Sequence, residues 1–343
     1  MVLKFTLRLS VVVASLLLGG CYLMQATRGQ LTVMKLRQPI NTVIERKDTS
    51  DTLKAQLIRA RDIREFASRE LGLPDNAAYR SYADIGRPYV VWNVVATPEF
   101  SVTPLEWCFP IAGCVAYRGY FKEQAANDFA ADLKTKGRDV VVGGVPAYST
   151  LGHIADPLLN TVISYGQLDL AALVFHELAH QVAYLPGNSS FNEAFATAVE
   201  EAGVARYAAT LPDATLLQRW QQRRRMRSEV TALITAARTD LKQIYKRPVA
   251  AQAMREAKAQ RLAELSTAIR ALEQREGRAS GFGSWIDTGL NNAHLAEVAT
   301  YYDEVPYFEK LLHENCGDYL PCLYTLVQKE MILRQASKKS KQR

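Results

Sequence analysis

Three things are missing from this 343-residue sequence, and each absence narrows what the chain can be. It has no repeat of fixed period, which sets aside solenoids and propellers. Its N-terminal apolar stretch, Val11 to Leu18, is too short to span a bilayer with ease. Its formal charge of +7 has no concentrated basic face to sit on. Lys4 and Arg8 lie in a segment expected to be removed, and Arg334, Lys338, Lys339, Lys341 and Arg343 lie in the last ten residues. The remaining run, Arg223, Arg224, Arg225 and Arg227, falls on a helical stretch that also carries Glu229, Asp240, Glu256 and Glu264, and reads as a solvated face. A nucleic-acid footprint needs basic charge gathered with readout residues, so no nucleic-acid partner is expected. What remains is an ordinary folded composition, 48% hydrophobic and 22% charged, enough for one large domain or two modest ones.

The amino terminus has the form of an export signal. A basic n-region and the short apolar stretch lead into Leu18-Gly19-Gly20-Cys21, with small residues where cleavage would occur. This string resembles the lipobox of bacterial lipoproteins, which implies a signal peptide over 1–20 and a lipid on Cys21. Tyr22 stands where an Asp would retain such a protein at the inner membrane. By the same resemblance, the chain is expected in the bacterial envelope, facing the periplasm and anchored to the outer membrane.

With Cys21 set aside, Cys108, Cys114, Cys316 and Cys322 remain. An even number in an exported chain reads as disulfides. The equal spacing within each pair makes Cys108–Cys114 and Cys316–Cys322 the simplest of three connectivities. A zinc site of all four thiolates fits less well, because such sites usually space their cysteines two to four residues apart.

The patterning predicts a mixed α+β fold. A lipid-proximal lead over 21–50 is followed by a helix from Ser50 to Leu73. Strands are expected at Val90 to Val95, Phe100-Ser101-Val102 and Val115-Ala116-Tyr117. A helix from Lys122 to Lys136 and a strand from Asp139 to Val142, ended by Gly143-Gly144, come next. Two apolar helices follow, Leu168 to Tyr184 and Phe191 to Thr210. Residues 213–276 lack glycine and contain one proline, Pro248, so they read as a helical hairpin protruding from a domain spanning 51–330. Further helices are expected from Asn291 to Tyr302 and after Pro306, with a basic tail over 331–343. The expected architecture is a small antiparallel sheet with a mainly helical remainder.

The chemistry gathers at His176-Glu177-Leu178-Ala179-His180. Residues four apart share one helical face, so both imidazoles can reach one zinc ion at roughly 2.0–2.1 Å. Glu177 falls beside that face, placed to take a proton from bound water, whose pKa the cation lowers to about 7. This is the H-E-x-x-H pattern of metalloproteases. A third ligand is needed, with one position left open. Glu193, at the start of the next helix, supplies a carboxylate once Pro186 to Ser190 turn the chain back. Ser190-x-x-Glu193 also fits a capping box, in which Glu193 would only return to its own helix end. Glu200, seven residues on, is either a hydrogen-bond partner of a ligand histidine or the alternative third ligand. Glu201 is offset and reads as solvated.

These strings together resemble the gluzincin class of zinc peptidases and, more specifically, a family of predicted bacterial aminopeptidases that are often lipoproteins. The resemblance runs from about Arg28 to Tyr307. It includes Gly86-Arg87-Pro88-Tyr89-Val90-Val91-Trp92-Asn93-Val94, Trp107-Cys108-Phe109-Pro110, the Gly143 to Gly152 segment, Asn192-Glu193-Ala194-Phe195-Ala196 and Asn291-Asn292-Ala293-His294-Leu295-Ala296. It implies a zincin-like fold, peptide substrates and a zinc cofactor. The gap from His180 to Glu193 is shorter than in better-known gluzincins, and Thr197 stands where many carry an acid.

Val140 to Ser149 offers an edge strand for an extended peptide. His294, Tyr301 and Tyr302 are candidates for stabilising the oxyanion, set against plain core roles; His153 and His313 read as structural or exposed. A different class of function also fits the string: a catalytically silent zincin-fold lipoprotein that binds partners or organises the envelope through its 213–276 hairpin.

Overall fold

The computed structural model describes residues 22, 24–109, 113–298 and 304–341. The chain enters through a helix over 24–36 (α1), a short strand Gln38–Pro39 (β1) and a helix Ile40–Glu45 (α2). Val33, Ile40 and Val43 are buried, so the segment read as a lipid-proximal lead is folded onto the domain. Helix α3, Asp51–Arg69, starts where Ser50 accepts a hydrogen bond from the Leu53 N–H. Its Arg64 is buried, which is tolerable only because its N–H groups find acceptors. Nε donates to the Ala78 carbonyl at 2.8 Å and Nη2 to the Pro74 carbonyl at 2.7 Å, fixing the loop that leads into the first sheet.

Strands Ser81–Ala83 (β2), Val91–Pro98 (β3), Trp107–Phe109 (β4), Gly113–Val115 (β5) and Arg118–Tyr120 (β6) follow, then helix Glu123–Thr135 (α4) and strand Arg138–Val145 (β7). The central sheet has the order β6-β3-β7 and is antiparallel throughout. Alternation along β3 sends Trp92, Val94 and Ala96 against Ala126, Ala130 and Leu133 of α4. Three expectations are corrected here. Phe100 to Val102 is no strand: Pro98 ends β3, the chain turns, and only Val102 of the three is buried. Val115-Ala116-Tyr117 is not one strand either, since Val115 closes the β4–β5 hairpin and β6 begins at Arg118. Gly143 and Gly144 do not end β7 but pair within it, opposite Asn93 and Trp92. A Cβ at Gly144 would lie 2.3 Å from the Tyr89 ring, so close approach requires glycine there.

Strand Leu158–Leu159 (β8) joins a second small sheet, β1-β2-β8, whose β2–β8 pairing is parallel. Helices Asn160–Ile163 (α5), Gln167–Val182 (α6) and Ser189–Ala209 (α7) come next. The α6–α7 pair forms the centre of the main core with fully buried Phe175, Phe191 and Phe195. Gly203 lets α7 approach closely, because a Cβ there would lie 2.8 Å from both Leu71 and Phe175 side chains.

The hairpin is helices Thr215–Ile244 (α8) and Ala251–Glu276 (α9), interrupted around Pro248 as expected. Val230, Ile234, Ala237 and Leu241 meet Leu262, Leu265, Ile269 and Leu272. The same cluster takes in Val102, Phe282 and Leu295, so the hairpin is seated on the domain rather than protruding from it. Short helices Gly283–Thr288 (α10), Asn292–Val298 (α11) and Val305–Lys310 (α12) lead to a π turn, Leu311–Asn315, and to helix Leu320–Lys341 (α13). Ala293 and Ala296 of α11 pack on Val95 and Val141, on the sheet face opposite α4. The stretch read as a basic tail continues α13: after Pro321 there is no helix breaker, and Lys, Arg, Gln and Ala are good helix formers.

Both disulfides take the simplest connectivity. Cys108–Cys114 ties β4 to β5, and Cys316–Cys322 ties the end of the π turn to α13. Among the described residues no helix is long and apolar enough to cross a membrane. Cys21 and the segment before it lie outside the described residues.

Candidate metal centre

Helix α6 is apolar nearly all round, with Leu168, Leu170, Ala171, Val174, Phe175, Leu178 and Ala179 buried. Its polar residues are therefore held in fixed positions by packing. The chain leaves α6 at Ala183 and turns back through Gly187, whose φ of +72° suits glycine. Asn192 clamps this turn. Its Oδ1 accepts the Leu185 N–H at 2.7 Å and its Nδ2 donates to the Leu185 carbonyl at 3.0 Å, all buried. Asn188 caps α7 by accepting the Phe191 N–H at 3.2 Å. The cap is thus made by Asn188 and not by a box from Ser190 to Glu193, and Glu193 faces α6.

The result is a convergence of three side chains. His176 Nε2 and His180 Nε2 are 3.2 Å apart. Glu193 places Oε2 3.2 Å from His176 Nε2 and Oε1 3.7 Å from His180 Nε2. One ligand atom from each residue lies within 4.8 Å of the others. Two imidazole lone pairs so close repel unless positive charge lies between them. Burial works against the charged form of His176, yet hydrogen bonds to Glu193 and Glu200 carry its pKa to about 10. His180 goes the other way, down to about 4, through burial and then the charge of His176. Burial would raise Glu193, but its hydrogen bond to His176 and the charges of His176 and His180 together leave it lowered. Of the three residues' donor atoms, His180 Nδ1 is left buried with no partner. Two imidazole nitrogens and one carboxylate oxygen, beside a cavity, match the donor set of a catalytic zinc ion.

His176, Glu177 and Glu193 line a cavity of about 570 Å³. Burial raises the Glu177 pKa against the pull of His176's charge and a hydrogen bond from Ser149. Glu200 is buried behind the histidine: His176 Nδ1 meets its Oε2 at 3.0 Å, and Arg224 Nη1 meets its Oε1 at 3.2 Å. Glu200 therefore orients His176 rather than joining the cluster. Glu201 is paired with Arg224 at 2.8 Å.

The other candidates lie apart. His294 is buried on α11, its Nδ1 accepting the Asn291 N–H at 3.2 Å and its ring 5.0 Å from that of Trp285. It does not line the cavity. Tyr301 and Tyr302 lie outside the described residues. Two features escape the sequence reading. Arg223, Arg224 and Arg227, read as a solvated face, line the cavity with Trp220; their three- and four-residue spacing was the available signal. Tyr117, in the loop between β5 and β6, has its phenol pKa raised by burial and, further, by the Glu193 carboxylate. Nothing in its local sequence marks it.

No curated protein and no solved structure matches the chain. One protein-family model does, over residues 21–342, and by that match the chain belongs to the family described as "Putative aminopeptidase".

Proposed function

We propose that the chain is a zinc-dependent metallopeptidase of zincin-like fold, an aminopeptidase by family, with His176, His180 and Glu193 holding the ion and Glu177 as general base. The observation that carries this reading is the convergence of those three side chains, two of which line one cavity with Glu177. Zinc, when bound, supplies a Lewis acid for the scissile carbonyl and brings the pKa of water to about 7. Glu177 takes the proton from the attacking water and passes it to the leaving amine nitrogen; its raised pKa fits both transfers. We assign the donor to the carbonyl oxygen, as it gains charge, to the Tyr117 phenol, which lies outside the cavity lining but within electrostatic reach of Glu193. Strand β7, at the sheet edge, offers main-chain groups to an extended peptide. Acylation at Cys21 holds the enzyme to the outer membrane, facing the periplasm; this part rests on the N-terminal sequence alone.

The test uses purified mature protein, its zinc content, and peptides with free and blocked amino termini. About one equivalent of zinc, hydrolysis that a chelator abolishes and added zinc restores, and a requirement for a free amino terminus are expected. Glu177→Gln should keep the zinc and lose at least ~10²-fold in kcat. Full activity in that variant would remove Glu177 from the mechanism. Zinc without turnover of any peptide would favour a silent binding protein instead.

A further inference from the structure

The cavity beside the three converging side chains is also lined by arginines: Arg223, Arg224 and Arg227 from α8, and Arg278 from the loop after α9. Two of them are already matched by carboxylates. Arg223 meets Asp169 at 2.8 Å, and Arg224 meets Glu200 and Glu201. The other two have no carboxylate partner among the described residues. Arg227 lies over the Phe282 ring at 5.9 Å, and Arg278 donates to the neutral Gln222 side chain at 3.1 Å. Arg227 also lines a second cavity, of about 450 Å³, that shares Thr197, Trp220 and Arg224 with the first. The two cavities are thus neighbours that share these side chains and Arg227 as lining. Their acids and guanidiniums balance in number, and a bound divalent cation would tip that balance positive.

The geometry points to a carboxylate-binding subsite at Arg227 and Arg278 that selects peptides carrying a negative charge. This rests on the peptidase reading above and names its substrate class. A guanidinium fork engages a carboxylate through two parallel hydrogen bonds; both side chains are exposed, so the contact gains from that bidentate geometry and from the pair rather than from burial. The carboxylate could be an acidic side chain or the peptide's own C-terminus; both have the same chemistry.

The test measures binding to the full-length, zinc-loaded Glu177→Gln protein by calorimetry. Four peptides of one length are compared, with Glu or Gln at one position and a free or amidated C-terminus. The doubly neutral peptide should bind roughly 10- to 100-fold more weakly than the best carboxylate-bearing one. The Glu/Gln arm and the acid/amide arm identify which carboxylate is held. Combining R227Q with R278Q should bring the ratio to within about 3-fold, and R227K with R278K should recover part of it. No preference in the starting protein, or an undiminished preference in the double Gln variant, overturns the subsite. Hydrolysis by native protein separates the two ideas. Selective binding without hydrolysis keeps the subsite and sinks the peptidase. Hydrolysis indifferent to substrate charge does the reverse.

Discussion

Glu200 and His176 are joined through Oε2 and Nδ1 at 3.0 Å, on the side of the ring facing away from His180. This contact fixes the ring orientation and the tautomer that leaves Nε2 to face Glu193. Partners of this kind are typically worth 10- to 100-fold in metal affinity. Glu200→Gln keeps the shape but removes the charge that makes His176 a stronger donor. It should weaken zinc binding by about that factor, read by competition with a chromogenic chelator. Unchanged affinity would mean the contact does not tune the ligand.

Nearly half of the Tyr117 surface is exposed, yet packed atoms and the Glu193 carboxylate hold its proton on. It is thus a dependable hydrogen-bond donor at neutral pH. Tyr117→Phe should lower kcat by ~10²-fold with little change in KM, as loss of an oxyanion donor does. A KM effect alone would make Tyr117 a substrate contact instead.

Asn192 acts on the site without touching it. Its side chain satisfies both backbone groups of Leu185 inside the turn that aims Glu193. Asn192→Ala leaves those buried groups unpaired, at a cost of about 2 kcal/mol or more. The variant should melt several degrees lower and bind zinc more weakly. A melting temperature unchanged from the parent would show the turn to be held by other contacts.

The histidine pair was legible because helical spacing alone decides which side chains share a face. The helix pair α6–α7 was legible for a similar reason: long apolar segments bounded by Pro186 and Gly187 leave few alternatives. Glu193 stayed open between ligand and cap because the choice depends on Asn188, whose capping bond belongs to the turn. The arginines of α8 are largely exposed, as their sequence implied, but their place along the cavity was not legible, because charge on a helix looks the same whether it faces open water or a cavity mouth. Only the seating of the hairpin on Val102, Phe282 and Leu295 decides that, and those contacts join segments far apart in the chain. Short strands failed for the same cause: Phe100 to Val102 has strand-like residues, but one buried knob is all the fold takes from them.

Glu297 gives a pH signature independent of the metal. Its carboxyl lies against Gly143 of β7, close enough that a Cβ there would be 3.0 Å from Oε1, while Oε2 is buried with no partner. Burial alone raises its pKa from 4.5 to about 7. The folded state therefore binds this proton more tightly than the unfolded chain. The resulting contribution is fully present below pH 4.5 and is lost as pH rises through 7. The shift corresponds to about 3 kcal/mol. Glu297→Gln has no charge to bury, so its stability relative to the parent should improve by up to that amount between pH 4.5 and pH 8. An offset from the amide's own unmet hydrogen bond is the same at both pH values and cancels in the comparison. Urea titrations of chelator-treated protein keep zinc binding out of the measurement. If the gap between the two proteins is equal at both pH values, Glu297 ionises in the folded state as freely as in the unfolded one.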